Sequence, residues 1–362
     1  MRDDTKRITF GIIGGGWRAE FFLRVVEARP DLFVVPGIVV RNPEKASIFG
    51  NRWGVTTFGT PEELLRSTEC DFVVTSVPRT VNPDLIIELV EAGMPVLSET
   101  PPASDLDSMI RLYEGVTNLG GRVQVAEQYH LQPHQAARLA FASGGRIGEV
   151  SQAQVSVAHG YHGISLIRRF LDVGFEAPAI RARKFTSPII EGAGRNGPPK
   201  REAARDVPQT LGWLDFGGKL GVFDFTGTQY FGWIRRERVL VRGDRGEIVN
   251  NTVSFLRDFA TPIKGELERV ATGIGSDLEG SHLKGYTFGD EWVYENPLAP
   301  ARLSGDEIAV GSCLLGMKRY LETGENFYSL AEGSQDHYLS ILLDGAAETG
   351  EVVRVERQPW CP

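Results

Sequence analysis

A run of three glycines near the start of the chain is the pattern with the clearest chemistry. It follows an apolar segment at residues 8–13 and precedes a helical pattern that begins near residue 19. Strand, glycine turn and helix in this order are typical of a dinucleotide pyrophosphate site. Gly14 permits the tight turn, Gly16 lets the backbone approach phosphate, and Ala19 keeps the helix close to the strand. The residues that we expect to contact the cofactor at this turn are Gly14, Gly15, Gly16, Trp17 and Arg18.

Several histidine and tyrosine side chains that could carry protons precede the helical segment predicted at residues 163–171. His162 lies where a short strand gives way to that segment, and an imidazole titrates near neutral pH, as a general base must. Four other groups could supplement or replace it: Tyr129, His130, His159 and Tyr161. The spacing of His159 and His162 also suggests a metal site, but no acidic ligand pattern accompanies them, so we expect no metal.

The residues after the second predicted strand bear on the choice of cofactor. An acidic residue about 20 positions beyond a glycine turn normally holds the adenosine ribose hydroxyls. No such residue occurs between Asp31 and Glu44, and the expected position is Val40, which Arg41 follows. A guanidinium can pair with a 2′-phosphate, so the sequence favours NADP over NAD. The alternative is that Arg41 is an ordinary solvated residue.

Composition limits the classes of partner. The chain has 362 residues and a formal net charge of −8, which argues against nucleic acid or an anionic membrane surface. No apolar run approaches the length of a membrane span, and the first seven residues lead directly into a strand. The three cysteines are far apart, so we expect reduced thiols and a cytoplasmic location.

The first third of the chain alternates strand and helix patterns. Six short apolar strands are predicted, the second with an irregularity at Pro36 and Gly37, and helices separate most of them. Thr60, three residues before Glu63, predicts a capping box. This alternation predicts an α/β fold with a doubly wound parallel sheet of the Rossmann type, which we place at residues 1–126.

The remainder, residues 127–362, predicts an α+β domain with a large, mainly antiparallel open sheet. Residues 150–159 alternate polar and apolar, and two runs flanking Gly217 and Gly218 predict a hairpin. Residues 188–208 are rich in Gly, Pro and Arg and predict a long loop or arm. Arg168 on the helix after His162 is expected on a solvated face rather than at an anionic substrate.

Several short motifs, taken together, resemble the Gfo/Idh/MocA family of glucose–fructose oxidoreductase, inositol dehydrogenase and their relatives. Beside the glycine turn, they are Ser76-Val77-Pro78, Glu99-Thr100-Pro101, Glu127-Gln128-Tyr129, Gly148-Glu149-Val150 and a C-terminal pattern from Tyr328-Ser329 through Thr349-Gly350 to Val353. The resemblance implies a Rossmann domain, then an α/β domain whose open sheet binds substrate or a partner subunit. It also implies hydride transfer between a nicotinamide cofactor and a sugar, cyclitol or related alcohol, in a homodimer or homotetramer.

The resemblance also assigns roles to individual residues. His162 matches the histidine of the family's Asp-x-x-x-His pattern, although Ala158 stands at the acidic position. Thr100 stands where the family commonly has a lysine implicated in proton transfer, and it can orient an alcohol only by hydrogen bonding. Lys184, in a predicted strand of the second domain, could replace that lysine. The remaining cofactor contacts implied are Val77, Pro78, Glu99 and Gln128, and the groups that could hold the alcohol are Tyr129, Tyr161 and Thr100.

These observations predict an NAD(P)-dependent oxidoreductase acting on a sugar-like substrate, with His162 taking the hydroxyl proton. Because the usual lysine is missing, two alternatives stay open. One is a redox-neutral lyase or hydrolase that retains its cofactor, and the other is a non-catalytic cofactor-binding protein.

Overall fold

The computed structural model describes residues 7–195, 197–273, 275 and 277–362, which form two compact units. The first unit comprises the described residues of 7–133, Val270–Gly285 and Glu295–Ser334. The second comprises His134–Arg269, Tyr286–Tyr294 and Gln335–Pro362. Both units are therefore discontinuous in sequence. The division at residues 126 and 127 stays a prediction.

The first unit contains a parallel sheet of seven short strands. They are β1 (Ile8–Ile13), β2 (Phe33–Val34), β3 (Ile38–Val39), β4 (Thr57–Phe58), β5 (Phe72–Thr75), β6 (Val96–Ser98) and β7 (Val123–Val125). Their order is β4-β3-β1-β5-β6-β7, and β2 also pairs with β1. The second predicted strand is thus two short ones, interrupted where Pro36 removes a donor and Gly37 approaches the Phe58 ring. The predicted doubly wound sheet is confirmed.

Nine α-helices occur among the described residues. They are α1 (Ala19–Ala28), α2 (Pro43–Trp53), α3 (Pro61–Ser67), α4 (Asn82–Glu91), α5 (Leu106–Asn118), α6 (Pro133–Ser143), α7 (Gly160–Leu171), α8 (Gly305–Thr323) and α9 (Leu330–Thr349). Short 3-10 helices lie at Tyr129–Leu131 and Gly227–Tyr230. None of the described helices is both long and apolar enough to cross a bilayer.

An apolar core packs beneath the glycine turn. The Phe10 ring of β1 stacks on Phe72 of β5 at 5.4 Å between centroids, and Phe22 of α1 meets Phe10 edge-on. Helix α8 adds Val310, Leu314 and Met317 to the same core, although it lies almost 300 residues along the chain. Burial of these side chains fixes the ends of β1 and α1 around the turn.

The capping prediction at Thr60 is confirmed for one of its two hydrogen bonds. The Thr60 hydroxyl accepts the Glu63 amide at 3.3 Å, at the start of α3. The Glu63 carboxylate accepts the amide of Gly59 instead of that of Thr60.

The second unit contains a nine-stranded sheet. Its strands are β8 (Val150–Ser156), β9 (Ala179–Ile190), β10 (Ala204–Asp215), β11 (Leu220–Phe225), β12 (Arg238–Gly243), β13 (Gly246–Val249), β14 (Thr252–Asp258), β15 (Thr261–Glu266) and β19 (Val353–Arg354). The order is β15-β14-β13-β12-β8-β11-β10-β9-β19, and only β8 and β11 run parallel. The predicted mainly antiparallel sheet is confirmed, as is the hairpin at Gly217. A separate three-stranded sheet contains β16 (Glu268–Ala271), β17 (Leu283–Phe288) and β18 (Glu291–Glu295).

The long loop predicted at residues 188–208 is wrong at both ends. Strand β9 continues to Ile190, and β10 begins at Ala204, which is its register partner. Pro188 and Pro208 are tolerated because each lies where its strand has a neighbour on one side only. Asn196 lies outside the described residues. The described residues of 191–203 lie in no named strand, so the loop is shorter than predicted and joins the two strands of a long β-hairpin.

Candidate active site

The glycine turn has the geometry that a pyrophosphate site requires. Gly14 has φ of +123°, and a Cβ atom there would lie 2.1 Å from the carbonyl oxygen of Ser76, so this position requires glycine. A Cβ on Gly15 would press on Val40 at 2.9 Å. At Gly16, however, a Cβ would meet no atom of the chain within 4 Å. The space over Gly16 is therefore open to a ligand, while Ala19 is fully buried against the core.

Arg18 is held by the protein itself. Its Nε donates to Glu99 Oε1 at 2.8 Å, and its Nη1 donates to Asp306 Oδ2 at 3.2 Å. The Gln128 amide accepts from Nη2 at 3.1 Å and donates to the Ala126 carbonyl at 2.9 Å. Arg18 thus links the ends of β6 and β7 to the first turn of α8 beside the glycine turn.

The charges of this network are strongly coupled. Burial opposes the charge on Arg18, but Glu99 and Asp306 outweigh it and raise the pKa of the guanidinium. Burial raises the pKa of the Glu99 carboxyl, and the ion pair with Arg18 works against that rise. With its donors directed at Glu99, Asp306 and Gln128, Arg18 shapes the turn.

The other predicted cofactor residues lie at the same edge of the parallel sheet. Val77 and Pro78 follow β5, and Val77 is half-buried whereas Pro78 is exposed. Trp17 is 57% exposed and meets Phe21 edge-on. Arg41 is exposed just after β3, and among the described residues it has no ion pair. In open α/β sheets, ligands bind outside the carboxyl ends of the strands, which is where the structure brings these residues together.

Thr100 and Tyr129, the two predicted alcohol-holding residues of the first unit, follow β6 and β7. Thr100 is half-buried directly after Glu99. Tyr129 begins a 3-10 helix, and its backbone N–H donates to Glu127 Oε1 at 3.1 Å. His130, an alternative proton carrier, is buried with its ring 5.1 Å from that of Tyr328. Thr100 and Tyr129 thus each follow the carboxyl end of one of two neighbouring strands.

Tyr161 and His162 belong to the second unit, at the start of α7. His162 is 5% exposed, and its ring centroid lies 4.4 Å from that of Tyr161 and 5.0 Å from that of His159. The His159 ring contacts two hydroxyl groups, through Nδ1 to Tyr230 Oη and through Nε2 to Tyr161 Oη at 3.3 Å. His337 of α9 meets Tyr161 edge-on at 5.6 Å. We call His159, Tyr161, His162, Tyr230 and His337 the histidine–tyrosine cluster.

Close backbone packing fixes the start of α7. Gly160 has φ of +39°, and a Cβ atom there would lie 2.4 Å from Ser340 Oγ of α9. A Cβ on Gly163 would lie 2.6 Å from the Phe223 ring of β11. The two glycines therefore let α7 approach α9 and the sheet, which brings His162 and His337 into one cluster.

The structure corrects the prediction for one charged residue of the second unit and places another. The solvated position predicted for Arg168 is wrong, because its side chain is buried and pairs with Asp336 of α9. Its Nη2 also donates to the Gly174 carbonyl at 2.7 Å. Lys184, considered as a replacement for the usual lysine, lies exposed in the middle of β9 opposite Thr210.

Sequence reasoning missed Asp306, Tyr230 and His337. Asp306 lies in the first turn of α8, where Ser304 and Glu307 form a capping box, so the pattern S-x-x-E could have marked that turn. We find no local sequence signal for Tyr230 or His337, because their partners are 71 and 176 positions away.

Two further observations on the described residues concern metal ligands and a cavity. No group of three or more His, Cys, Asp or Glu side chains among them could hold a metal ion. An apolar cavity of about 440 Å³ lies beside the β9–β10 hairpin, lined in part by Ile190, Phe231 and Trp233.

A parallel sheet with an open glycine turn at its carboxyl edge defines a nucleotide-binding protein of the Rossmann class. Residues 8–127 match the family described as "Oxidoreductase family, NAD-binding Rossmann fold", GFO_IDH_MocA. This match covers the part of the chain that contains the parallel sheet, and it confirms the resemblance drawn from the motifs.

Known proteins resemble the chain over most of its length. An inositol 2-dehydrogenase of Rubrobacter xylanophilus is 27% identical over 271 residues, which are 68% of this chain and 72% of that protein. A levoglucosan dehydrogenase solved with NADH and levoglucosan has a TM-score of 0.71 at 18% identity, covering 97% of this chain and 100% of that one. An oxidoreductase from Agrobacterium radiobacter, solved with NAD+, L-tartaric acid and magnesium, has a TM-score of 0.67 at 17% identity, covering 96% and 98%. The two structures support the fold alone.

Proposed function

We propose that the chain is an NAD(P)-dependent oxidoreductase acting on a sugar, cyclitol or related polyol. The observation that carries the proposal is the corner at Gly14 and Gly16, where one glycine permits the turn and the other leaves open space. A relative named inositol 2-dehydrogenase suggests the substrate class. When bound, the nicotinamide supplies or accepts a hydride.

Residues of the chain bind the cofactor, take the proton and hold the alcohol. Gly14, Gly15 and Gly16 hold the pyrophosphate, and the ion pair of Arg18 with Glu99 keeps their turn in shape. His162 takes the hydroxyl proton of the alcohol, since an imidazole is the side chain best suited to proton transfer near neutral pH. Hydroxyl groups of Thr100, Tyr129 and Tyr161 hold the alcohol oxygen.

The proposal is tested by mixing the purified protein with NAD+ or NADP+ and a panel that includes myo-inositol and levoglucosan. We expect net formation of reduced cofactor with at least one compound. A sugar product formed by a retained cofactor without net reduction would instead indicate the redox-neutral alternative. Cofactor binding without any turnover across a broad panel would indicate the non-catalytic one.

We further propose that the preferred cofactor is NADP, because Arg41 is exposed beside the site and no acid stands at Val40. The variant Arg41→Ala should weaken NADP+ binding at least about tenfold and change NAD+ binding less than about twofold. Titration calorimetry measures both dissociation constants. Arg52→Ala, which removes a guanidinium paired with Glu20, is the matched control. An unchanged NADP+ affinity in Arg41→Ala would reject the role of Arg41.

Variants of Thr100 test whether the absence of the usual lysine limits kcat. Since His162 takes the proton in this proposal, Thr100→Lys should leave kcat at or below that of the unmodified protein. Thr100→Val, which removes only the hydroxyl group, should lower kcat about tenfold if that hydroxyl holds the alcohol. Steady-state kinetics on the best substrate of the panel provides both values. A large rise in kcat with lysine would mean that the native chain has lost this chemistry.

A further inference from the structure

One hydrogen bond at His159 has a direction that the backbone fixes. His159 lies just before α7, and its backbone N–H is 3.1 Å from Tyr230 Oη. A backbone N–H can only donate, so the Tyr230 oxygen accepts this hydrogen bond. The same oxygen contacts Nδ1 of the His159 ring. The Tyr230 proton can then be donated to Nδ1, which favours the ring form with its own proton on Nε2.

The second ring nitrogen of His159, Nε2, contacts the hydroxyl group of Tyr161. Nε2 lies 3.3 Å from Tyr161 Oη, and with its proton on Nε2 the ring donates to that oxygen. In that ring form, Tyr161 accepts from His159 and directs its own proton to a different acceptor. Ring contacts hold the arrangement, since the Tyr230 ring lies 5.1 Å from Phe225 and the Tyr161 ring 5.6 Å from His337.

We propose that His159 and Tyr230 are positioning residues that make Tyr161 a hydrogen-bond donor to the reacting oxygen of the substrate. The inference rests on the proposed function and deepens it. Thr100 offers no ammonium group, and the buried Ala158 offers no carboxylate to orient His162. A donor fixed in direction stabilises negative charge that develops on the substrate oxygen when His162 removes its proton. Tyr161 keeps its proton throughout, so no further group needs to be charged or discharged.

The kinetic test removes single hydroxyl or imidazole groups. Tyr230→Phe keeps the ring and loses the hydroxyl, and we expect kcat to fall about tenfold or more while KM changes less than about twofold. Tyr294→Phe is the matched control, since Tyr294 lies on β18 outside the cluster. His159→Ala should show a similar loss, and free imidazole should restore part of kcat because His159 is exposed. His134→Ala, whose ring pairs with Glu237, should show neither the loss nor the rescue.

A second measurement does not depend on turnover. Nitrogen NMR of the histidine rings distinguishes a proton on Nε2 from one on Nδ1, and His159→Ala identifies the relevant signal. We expect the neutral His159 ring to carry its proton on Nε2, and Tyr230→Phe to abolish that preference.

The outcomes separate the two proposals. A proton on Nδ1 of His159, or an unchanged kcat in Tyr230→Phe, would overturn the positioning role and leave the oxidoreductase proposal intact. Absence of any turnover in the unmodified protein would overturn the proposed function, while the NMR signal would still decide the direction of the hydrogen bonds.

Discussion

Replacing Gly14 by alanine should abolish cofactor binding and lower the free energy of unfolding by about 3 kcal/mol. The backbone conformation at φ of +123° is strained for any residue with a side chain, and such strain costs about 1–3 kcal/mol. The new methyl group would also collide with the Ser76 carbonyl, 2.1 Å away, so β1 and the end of β5 would have to separate. Thermal denaturation and cofactor titration measure the two effects.

Gly16→Ala is the matched control for this first prediction. A methyl group there meets no atom of the chain, so the free energy of unfolding should stay within about 0.5 kcal/mol. It would nevertheless occupy the space through which phosphate approaches, and cofactor affinity should fall at least about tenfold. If Gly16→Ala bound cofactor as well as the unmodified protein, the pyrophosphate would not lie at this corner.

Removal of the His162 imidazole should lower kcat by about 10²–10⁴, the usual contribution of a general base. The change should leave the dissociation constant of the cofactor unaltered, because the proposed dinucleotide contacts all belong to the first unit. Steady-state kinetics of His162→Ala, with cofactor titration on the same sample, measures both.

His282→Ala controls for the loss of a histidine as such. That ring bonds Thr272 and lies outside the histidine–tyrosine cluster, so kcat should not change. Since His162 is buried, circular dichroism should first show that His162→Ala is folded. A folded His162→Ala protein with unchanged kcat would remove His162 from the mechanism.

The nucleotide-binding half of the fold could be predicted because its determinants are adjacent in sequence. The strand at Ile8–Ile13, the glycine turn and the helix from Ala19 follow one another directly, so a local pattern describes the local structure. The interruption at Pro36 and Gly37 was likewise visible, because each residue limits its own backbone.

The partners of the charged residues could not be predicted, because they come from distant parts of the chain. Asp306 reaches Arg18 across 288 positions, and Asp336 reaches Arg168 across 168. Without its partner, Arg168 resembles any solvated helix residue, and only the packing of α9 buries it. The loop predicted at residues 188–208 was too long for a similar reason, since backbone pairing between β9 and β10 at its two ends outweighed a composition rich in glycine and proline.

The most direct test of the account is the near-ultraviolet absorbance of reduced nicotinamide during incubation with NADP+ or NAD+ and the sugar and polyol panel. If the first unit carries a dinucleotide and the chain oxidises an alcohol, absorbance rises in proportion to a carbonyl product, and His162→Ala suppresses the rise. A carbonyl-free product, or a flat trace with every compound despite bound cofactor, would contradict it.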